Sequence, residues 1–493
     1  MSTTHYLAVD LGAESGRVML GTLKDSRLSL QEVHRFANSS ISKDGSLFWD
    51  LPHLEKEILS GIEKAAQYQS AISGISTDSW GVDYVLLDAE NQPLSLPFCY
   101  RDPRTAEAVK RLLKTIPFSE IYAETGIQFM AINTLYHFEA ETQDRAQRLT
   151  KAKSFLNMAD YINCRLGGVA TSEESLASTT QLYDPQAHAW SEKLISILGV
   201  SPDIFPRIVP SGTVLGPLVD GLKTNAIFAD TQVIASCSHD TGAAIAAVPA
   251  KPGTDWAYLS SGTWSLLGAE LTEPVITEEA RDAGFTNEVG LGGTIRFLKN
   301  IAGLWIVQEC RRAWADSGEI YSYDDLTRLA TEAGDAVAHL SLDDPRFVTF
   351  DEMPEKIAAY CRETGQPVPS TPGEYIRAVL ESLAVCYAQT LTKLESLTGQ
   401  TYDTLHIVGG GTRNDLLNQL TADAVRRTVV TGPVEATAIG NILIQALALG
   451  HIESSSQLRE IVEASFPTRL FTPQSHLLDK LANSFKPVLP IHL

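Results

Sequence analysis

Alternation of apolar and polar positions opens the chain and predicts a strand, a glycine-containing turn and a second strand over residues 6–23. Leu7, Val9 and Leu11 alternate with small or acidic residues before the turn, and a second apolar run follows it. The same arrangement returns at residues 257–269, where a Ser-Gly turn separates two further apolar runs. Because this hairpin pattern occurs twice, far apart in the chain, the sequence predicts two similar domains.

The turn of the first hairpin has the composition of an anion-binding loop. Gly12 and Gly16 carry no Cβ, so backbone N–H groups there can approach a phosphate group closely. Asp10 stands where the first strand enters this turn, and a carboxylate in that position can hold a divalent cation. The pattern therefore predicts a phosphate loop with a divalent cation held at Asp10, directly or through water.

Residues 232–248 combine an apolar strand, the sequence SHDTG and an alanine-rich helix. Asp240 stands where this helix begins, and an aspartate in that place is commonly an N-cap. The same place suits a general base, because the positive end of the helix dipole keeps a carboxylate ionised. The two interpretations are compatible, and Asp240 is the candidate catalytic residue.

Residues 79–88 alternate as a strand, with Trp80 and Asp83 near its beginning. Trp80 has two interpretations, an aromatic residue of the core or a ring that stacks on a sugar. In the second interpretation, Asp83 accepts hydrogen bonds from the sugar hydroxyl groups. The pattern leaves both interpretations open.

Two turns in the second half of the chain are further candidate phosphate contacts. Gly262 and Thr263 offer N–H and hydroxyl donors, although an ordinary hairpin turn can have the same composition. Residues 405–425 predict a strand, a glycine turn and a helix preceded by Asn414, a form that receives a nucleotide at a helix start. The sequence contains no P-loop motif, and Asn414 stands where the dinucleotide fingerprint requires a third glycine.

Charge and composition narrow the possible partners. The chain has 60 acidic and 39 basic residues and a net charge of −21, which disfavours binding to nucleic acid or to an anionic membrane surface. With 44% hydrophobic residues and no apolar run long enough to span a bilayer, the expected location is the cytoplasm. The length of 493 residues predicts two or more domains, and the pattern along the chain places them at 1–246 and 247–455, followed by a tail at 456–493.

With these motifs in place, the chain resembles the FGGY carbohydrate kinases. The resemblance is carried by six segments in the family's order: AVDLGAESGRVML (8–20), STDSWGVDYVLLD (76–88), SHDTGAA (238–244), YLSSGTWSL (258–266), LKNIAGLW (298–305) and HIVGGGTRND (406–415). It implies an α/β fold with two actin-like, ribonuclease-H-like ATPase domains facing a central cleft. It also implies that ATP and Mg²⁺ take part in the reaction.

The resemblance assigns roles residue by residue. Asp240 matches the family's catalytic base. The nucleotide contacts match Ala13, Glu14, Ser15, Gly16 and Arg17 in the first ATP loop, and Thr263, Gln308, Gly410 and Gly411 elsewhere. The ketose contacts match Gly81, His239, Thr241 and Asn300, beside Trp80 and Asp83. An extra anion near phosphate groups is unfavourable, so the side chain of Glu14 is expected to point outward.

The activity that the resemblance implies is ATP-dependent phosphorylation of L-rhamnulose at its 1-hydroxyl group. Related kinases that act on L-fuculose, D-xylulose or D-ribulose are the nearest alternatives. A non-catalytic, actin-like nucleotide switch is a more remote one, which Asp240 and the Trp80–Asp83 pair disfavour. Nucleic acid and membrane are not expected partners, and the sequence leaves the oligomeric state undetermined.

Overall fold

A computed structural model describes residues 3–68, 71–223, 225–251, 253–349 and 351–474. The strands in these ranges are β1 (Thr4–Leu11), β2 (Ser15–Lys24), β3 (Arg27–Ala37), β4 (Ser40–Lys43), β5 (Ser46–Trp49), β6 (Ile72–Ser79), β7 (Tyr84–Leu87), β8 (Ser154–Asn157), β9 (Ser172–Glu173), β10 (Tyr183–Asp184), β11 (Ala189–Trp190), β12 (Ile208–Val209), β13 (Thr213–Pro217), β14 (Gln232–Ala235), β15 (Trp256–Ser261), β16 (Trp264–Leu271), β17 (Phe285–Val289), β18 (Ile295–Ala302), β19 (Thr404–Val408), β20 (Thr428–Thr431) and β21 (Arg469–Phe471).

The helices in the same ranges are α1 (Leu51–Ala65), α2 (Thr105–Thr115), α3 (Phe118–Thr125), α4 (Thr134–Asp144), α5 (Ala146–Lys151), α6 (Met158–Gly167), α7 (Glu174–Thr179), α8 (Glu192–Leu198), α9 (Asp240–Ala246), α10 (Glu278–Asp282), α11 (Trp305–Asp316), α12 (Tyr323–Glu332), α13 (Met353–Glu363), α14 (Pro372–Thr398), α15 (Asp415–Val425), α16 (Ala436–Ala448) and α17 (Ser455–Ser465). None of these helices is both long enough and apolar enough to cross a lipid bilayer.

The chain forms two compact units, and neither is continuous in sequence. The first comprises Met1–Pro252, Glu270–Phe297 and Glu435–Phe466. The second comprises Gly253–Ala269, Leu298–Val434 and, among the described residues, 467–474. The domain limits expected from the sequence, 1–246, 247–455 and 456–493, stay a prediction, and the part of the tail from residue 475 onward lies outside the described residues.

The first unit is built on a six-stranded sheet in the order β13-β14-β6-β1-β2-β3. β1, β2 and β3 are consecutive antiparallel strands, so the hairpin predicted at residues 6–23 is confirmed. β6 pairs parallel with β1 on its other side, and β14 pairs parallel with β6. Since Asp10 lies opposite Arg17 in the hairpin and opposite Asp78 on β6, three charged residues meet at one end of β1.

The second unit repeats this strand order with later parts of the chain. Its strands follow the order β18-β16-β15-β19-β20-β21, in which β15 and β16 form the second predicted hairpin and β18 belongs to this unit only from Leu298 onward. β19 pairs parallel with β15 and β20 pairs parallel with β19, as β6 and β14 do in the first unit. An antiparallel strand closes one edge of each sheet, β21 in one unit and β13 in the other. The repeated order explains why one hairpin pattern occurs twice in the sequence.

Close packing of two helices holds the start of α9 in place within the first unit. α16 packs against α9 and against β1 and β6. A Cβ on Gly440 of α16 would lie 1.9 Å from the carbonyl oxygen of Ala243 on α9, so only glycine permits this approach. The backbone of α9, whose first residue is Asp240, is therefore positioned by direct contact with α16.

Candidate active site

The turn of the first hairpin contains the residues predicted for the first ATP loop. The Gly12 N–H donates to Ser15 O (2.9 Å), which closes the turn, and Asn38 Nδ2 donates to Gly12 O (2.8 Å). A Cβ on Gly16 would lie 2.2 Å from an aromatic ring on β3, so packing also requires glycine there. Glu14 is exposed, in agreement with the expectation that its side chain points outward.

Arg17, at the end of this loop, bridges two acidic residues. Its guanidinium donates to Asp10 through Nη2 and to Glu435 through Nη1. Burial opposes the charged form, but the two carboxylates raise the pKa of Arg17 above its ordinary value. The predicted phosphate loop and the predicted cation anchor are thus joined by one buried salt bridge.

A second carboxyl group, that of Asp78, lies beside Asp10 on the neighbouring strand β6. Asp78 Oδ2 accepts a hydrogen bond from Asn441 Nδ2 (2.6 Å), whereas Oδ1 is buried without a hydrogen-bond partner. Burial, together with the negative charges of Asp10 and Asp240, raises the pKa of Asp78 well above its ordinary value. At this end of β1, Asp10 is paired with Arg17, and Asp78 keeps one carboxyl oxygen without a partner.

These acidic groups fit a magnesium ion that is held mainly by phosphate oxygens and water. Within the described part of the chain, no three His, Cys, Asp or Glu side chains converge as a complete metal cage. Mg²⁺ in phosphate-transferring enzymes is usually bound by one or two carboxylates together with phosphate and water. Asp10, with the unpartnered Oδ1 of Asp78 on the next strand, supplies oxygen ligands of that kind.

Asp240 is the first residue of α9, and His239 is the N-cap, so the interpretation of Asp240 as the cap itself is wrong. Asp240 Oδ1 accepts a hydrogen bond from the Thr241 N–H (2.6 Å), and 29% of the side chain is accessible to solvent. Burial raises the pKa of Asp240 to about 6, against the effect of His239 and with that of Asp10. At neutral pH such a carboxyl group is mostly ionised and can still take up a proton, as a general base must.

Two predicted ketose contacts, His239 and Thr241, flank Asp240 in the sequence and in space. His239 Nε2 lies 3.5 Å from Asp240 Oδ1. Behind them, Arg296 donates to Thr241 Oγ1 (3.0 Å) and to Glu288 Oε2 (3.0 Å). The first unit therefore places the candidate base and two predicted sugar contacts beside the buried ion pair of Arg296 and Glu288.

Trp80 and Asp83 lie together in the loop between β6 and β7. Asp83 Oδ2 accepts hydrogen bonds from Trp49 Nε1 (2.6 Å), Trp80 Nε1 (2.9 Å) and the Tyr100 N–H (3.2 Å). Burial raises the pKa of Asp83 to about 7, although these donors favour the ionised form. Trp80 is 7% exposed and packs on Trp49 with ring centroids 4.5 Å apart. Trp80 is thus a core aromatic residue that keeps a small accessible face.

The loop that carries Trp80 and Asp83 has an unusual backbone. Val82 has φ of +69°, in the left-handed region that a β-branched residue rarely adopts. The Val82 carbonyl accepts a hydrogen bond from Thr134 Oγ1 (2.6 Å), which holds this conformation. At the preceding position, a Cβ on Gly81 would lie 2.9 Å from Thr179 Oγ1. Strain of this kind persists where the surrounding structure fixes it, often at binding sites.

In the second unit, the second hairpin and α11 bring two predicted nucleotide contacts together. Gln308 Nε2, on α11, donates to Thr263 Oγ1 (3.2 Å) in the hairpin turn. The Trp305 N–H donates to Thr263 O (3.1 Å), which ties the start of α11 to the same turn. Asn300, a predicted ketose contact, lies near the end of β18 and is half-buried.

The glycine turn after β19 packs against the second hairpin. A Cβ on Gly411 would lie 2.0 Å from Ser261 Oγ, whereas a Cβ on Gly410 would meet nothing within 4 Å. Asn414 Oδ1 accepts the N–H of Leu417 (3.0 Å) and so caps α15. Gly410 therefore presents open backbone, Gly411 serves close packing, and Asn414 orients the helix that follows.

Sequence reasoning did not single out three charged residues that surround the candidate base and cation anchor. These residues are Asp78 on β6, Glu288 on β17 and Arg296 on β18, and all three are buried. Each is a charged residue in a strand whose remaining residues are mostly apolar or small. Because a buried charge is retained only when it is paired or hydrogen-bonded, that pattern is a usable signal of such sites.

Family models match nearly the whole chain. The N-terminal domain of the FGGY family of carbohydrate kinases matches residues 5–247, and the C-terminal domain of that family matches residues 257–449.

Three rhamnulokinases are similar to this chain over almost their full length. The identity is 40% for the protein of Bacteroides thetaiotaomicron, covering 95% of this chain and 96% of the relative. It is 42% for the protein of Enterococcus faecalis, covering 94% of each chain. It is 37% for the protein of Bacillus subtilis, covering 98% of each chain.

Solved structures with low sequence identity share the fold. Gluconate kinase from Lactobacillus acidophilus superposes with a TM-score of 0.79 at 17% identity, over 98% of this chain and 96% of that chain. Plasmodium falciparum glycerol kinase with ADP gives a TM-score of 0.78 at 14% identity, over the same shares. The predicted α/β class with two actin-like, ribonuclease-H-like domains is thereby confirmed.

Proposed function

The chain belongs to the FGGY family of carbohydrate kinases, and on this premise we propose that it transfers the γ-phosphoryl group of ATP to O1 of L-rhamnulose. Membership of the family accounts for ATP as the donor and for a sugar as the acceptor. The single observation that supports this particular ketose is the similarity, over nearly the whole chain, to rhamnulokinases.

In this proposal Asp240 is the general base. Its carboxylate accepts the proton of the 1-hydroxyl group while the sugar oxygen attacks the γ-phosphorus in line. A pKa of about 6 leaves Asp240 mostly ionised before the reaction and able to hold the proton afterwards. The position at the first turn of α9 favours the ionised form through the helix dipole.

Each hairpin carries groups that would balance charge on a phosphate. In the first unit, N–H groups of the turn that contains Ala13, Glu14 and Ser15, together with Arg17, would face the phosphates. In the second unit, Thr263, ordered by Gln308, would donate to the terminal phosphate, and the open backbone at Gly410 would face the nucleotide. Mg²⁺ held at Asp10 would neutralise charge on the β- and γ-phosphate oxygens.

The small accessible part of Trp80 and the carboxyl group of Asp83 would form one wall of the sugar site. L-Rhamnulose ends in a methyl group, which an aromatic face can cover, and its hydroxyl groups need polar partners. Gly81, His239, Thr241 and Asn300 would complete the ketose contacts. Because three donors hold Asp83 Oδ2, that carboxyl group is fixed before the sugar binds.

A coupled assay of ADP release, with Mg²⁺ and ATP held constant, tests the proposal. L-Rhamnulose should give the highest kcat/KM in a panel with L-fuculose, D-xylulose and D-ribulose, and phosphorus NMR of the product should show a 1-phosphate. ADP release should be negligible without a ketose. Equal or higher kcat/KM for another ketose would refute the choice of substrate, and release independent of every ketose would refute a sugar kinase.

A further inference from the structure

A buried polar cluster lies behind the candidate base in the first unit. It joins His239, at the N-cap of α9, to Glu288 on β17 and Arg296 on β18. The side chain of Arg296 is completely buried, and those of the other two residues are almost completely buried. Burying three ionisable side chains is costly unless they pair closely, so their arrangement has to be specific.

The contacts of Arg296 account for several of its donor groups. Nη2 donates to Glu288 Oε2 (3.0 Å) and lies 3.0 Å from His239 Nδ1. Nη1 donates to Thr241 Oγ1 (3.0 Å), and Nε donates to Val289 O (3.2 Å). Burial opposes the ionised form of Glu288, but the charge of Arg296 holds the pKa of Glu288 below its ordinary value.

The protonation of the imidazole ring follows from these contacts. An arginine side chain can donate hydrogen bonds and cannot accept them. The 3.0 Å contact between Arg296 Nη2 and His239 Nδ1 is therefore a hydrogen bond only if Nδ1 carries no proton. A proton on Nδ1 would face the arginine donor at the same distance, which is repulsive. In the neutral ring the proton then belongs to Nε2.

The Nε2–H group faces Asp240. Nε2 lies 3.5 Å from Asp240 Oδ1, which also accepts the Thr241 N–H at 2.6 Å. At 3.5 Å the Nε2–H dipole points toward the carboxylate without forming a normal hydrogen bond. The Thr241 N–H alone holds Oδ1, so Oδ2 is the oxygen left to accept a proton.

We propose that Arg296 is a positioning residue, which fixes His239 as the Nε2–H tautomer and so directs the Nε2–H group toward Asp240. This inference rests on the proposed function, in which Asp240 is the general base. Glu288 is a competing partner of His239 Nδ1, and this competition makes the role of Arg296 testable. Its Oε2 lies 3.2 Å from Nδ1 and would draw the proton to that nitrogen if the arginine were absent.

The tautomer can be measured without any activity, by NMR of protein labelled with ¹⁵N in its histidine rings. The chain has 11 histidines, and a His239→Gln variant identifies the signals of this one. In the wild-type protein Nδ1 should have the chemical shift of an unprotonated ring nitrogen and Nε2 that of a protonated one. A proton on Nδ1 of the wild-type protein would overturn the proposal.

Two variants distinguish the effect of Arg296 on Nδ1 from that of Glu288. In Arg296→Met the proton should move to Nδ1, toward Glu288, and kcat for the ketose should fall about 10- to 100-fold, as when an orienting partner is lost. In Glu288→Gln, the matched control, Arg296 is retained and Nδ1 should stay unprotonated. An unchanged tautomer in folded Arg296→Met would contradict the proposal. If Arg296→Met does not fold, as judged by circular dichroism, the wild-type and Glu288→Gln spectra decide.

Failure of this inference can be distinguished from failure of the proposed function. If the wild-type protein has the expected tautomer but phosphorylates no ketose of the panel, the proposed function fails and the positioning of His239 by Arg296 stands. If L-rhamnulose is phosphorylated but Nδ1 carries the proton, the proposed function stands and the inference fails.

Discussion

Replacing Asp240 by asparagine should stabilise the folded protein at neutral pH while it removes most of the activity. The side chains are nearly the same size, and asparagine Oδ1 can still accept the Thr241 N–H. The variant loses a carboxylate that burial makes costly to ionise. If Asp240 is the general base, kcat should fall by about 10²- to 10⁴-fold, the usual contribution of such a group.

The size of the stability gain follows from the pKa of Asp240. Its pKa is raised from 3.8 to about 6, and each unit corresponds to about 1.4 kcal/mol. The upper limit is therefore about 3 kcal/mol at neutral pH. Because 29% of the side chain is accessible, water reduces this cost, and we expect about 1–2 kcal/mol. The melting temperature should rise by about 1–3 °C.

The pH dependence identifies the cause of this gain. Between pH 3.8 and about 6 the folded state binds the proton of Asp240 more tightly than the unfolded state does. Stability therefore falls as the pH rises through this window, and the full penalty is present above it. The difference in melting temperature between the variant and the wild type should be largest above pH 7 and should vanish toward pH 4. In the wild type, kcat/KM should decline below about pH 6.

Thermal melts over the range from pH 4 to 8, with activity measured on the same samples, provide the assay. Asp230→Asn is the matched control, since it removes an exposed carboxylate from the same unit and should leave the melting temperature unchanged. The reasoning is refuted if Asp240→Asn is no more stable than the wild type at pH 7.5, or if its gain does not vary with pH.

Three further predictions concern the nucleotide, sugar and cation contacts. Gly411→Ala should lower the melting temperature because its Cβ would lie 2.0 Å from a serine hydroxyl, whereas Gly410→Ala, with nothing within 4 Å, should keep that temperature and raise KM for ATP. Equal melting temperatures for the two glycine variants would contradict this difference in packing. Trp80→Phe should narrow the preference for L-rhamnulose over a ketose without the terminal methyl group by about 10-fold. Trp49→Phe is the control, because it removes the same kind of N–H donor from a fully buried ring, and it should leave the preference for L-rhamnulose intact. If the two variants change the preference equally, Trp80 is a core residue only. Asp10→Asn should raise the Mg²⁺ concentration for half-maximal activity by about 10- to 100-fold, and an unchanged titration would remove Asp10 from the cation site.

The sequence by itself determined the elements on which the candidate site is built. Both hairpins, the strand–helix junction at Asp240 and the strand and glycine turn before Asn414 were predictable and are confirmed. Their signals are alternation, glycine placement and helix-start composition, which depend on a few consecutive residues. Glu14 is exposed, and the outward direction of its side chain stays a prediction.

Only the tertiary structure decided which charges meet and which of them are buried. Arg17 pairs with Glu435 across 418 positions of sequence, and Asp78 receives its hydrogen bond from Asn441 across 363 positions. Arg296 reaches His239 across 57 positions. Whether such groups are ionised depends on the water removed from around them and on the charges that remote segments place beside them. No periodicity of the chain records either quantity, so the raised pKa of Asp240 and the orientation of His239 follow from packing alone.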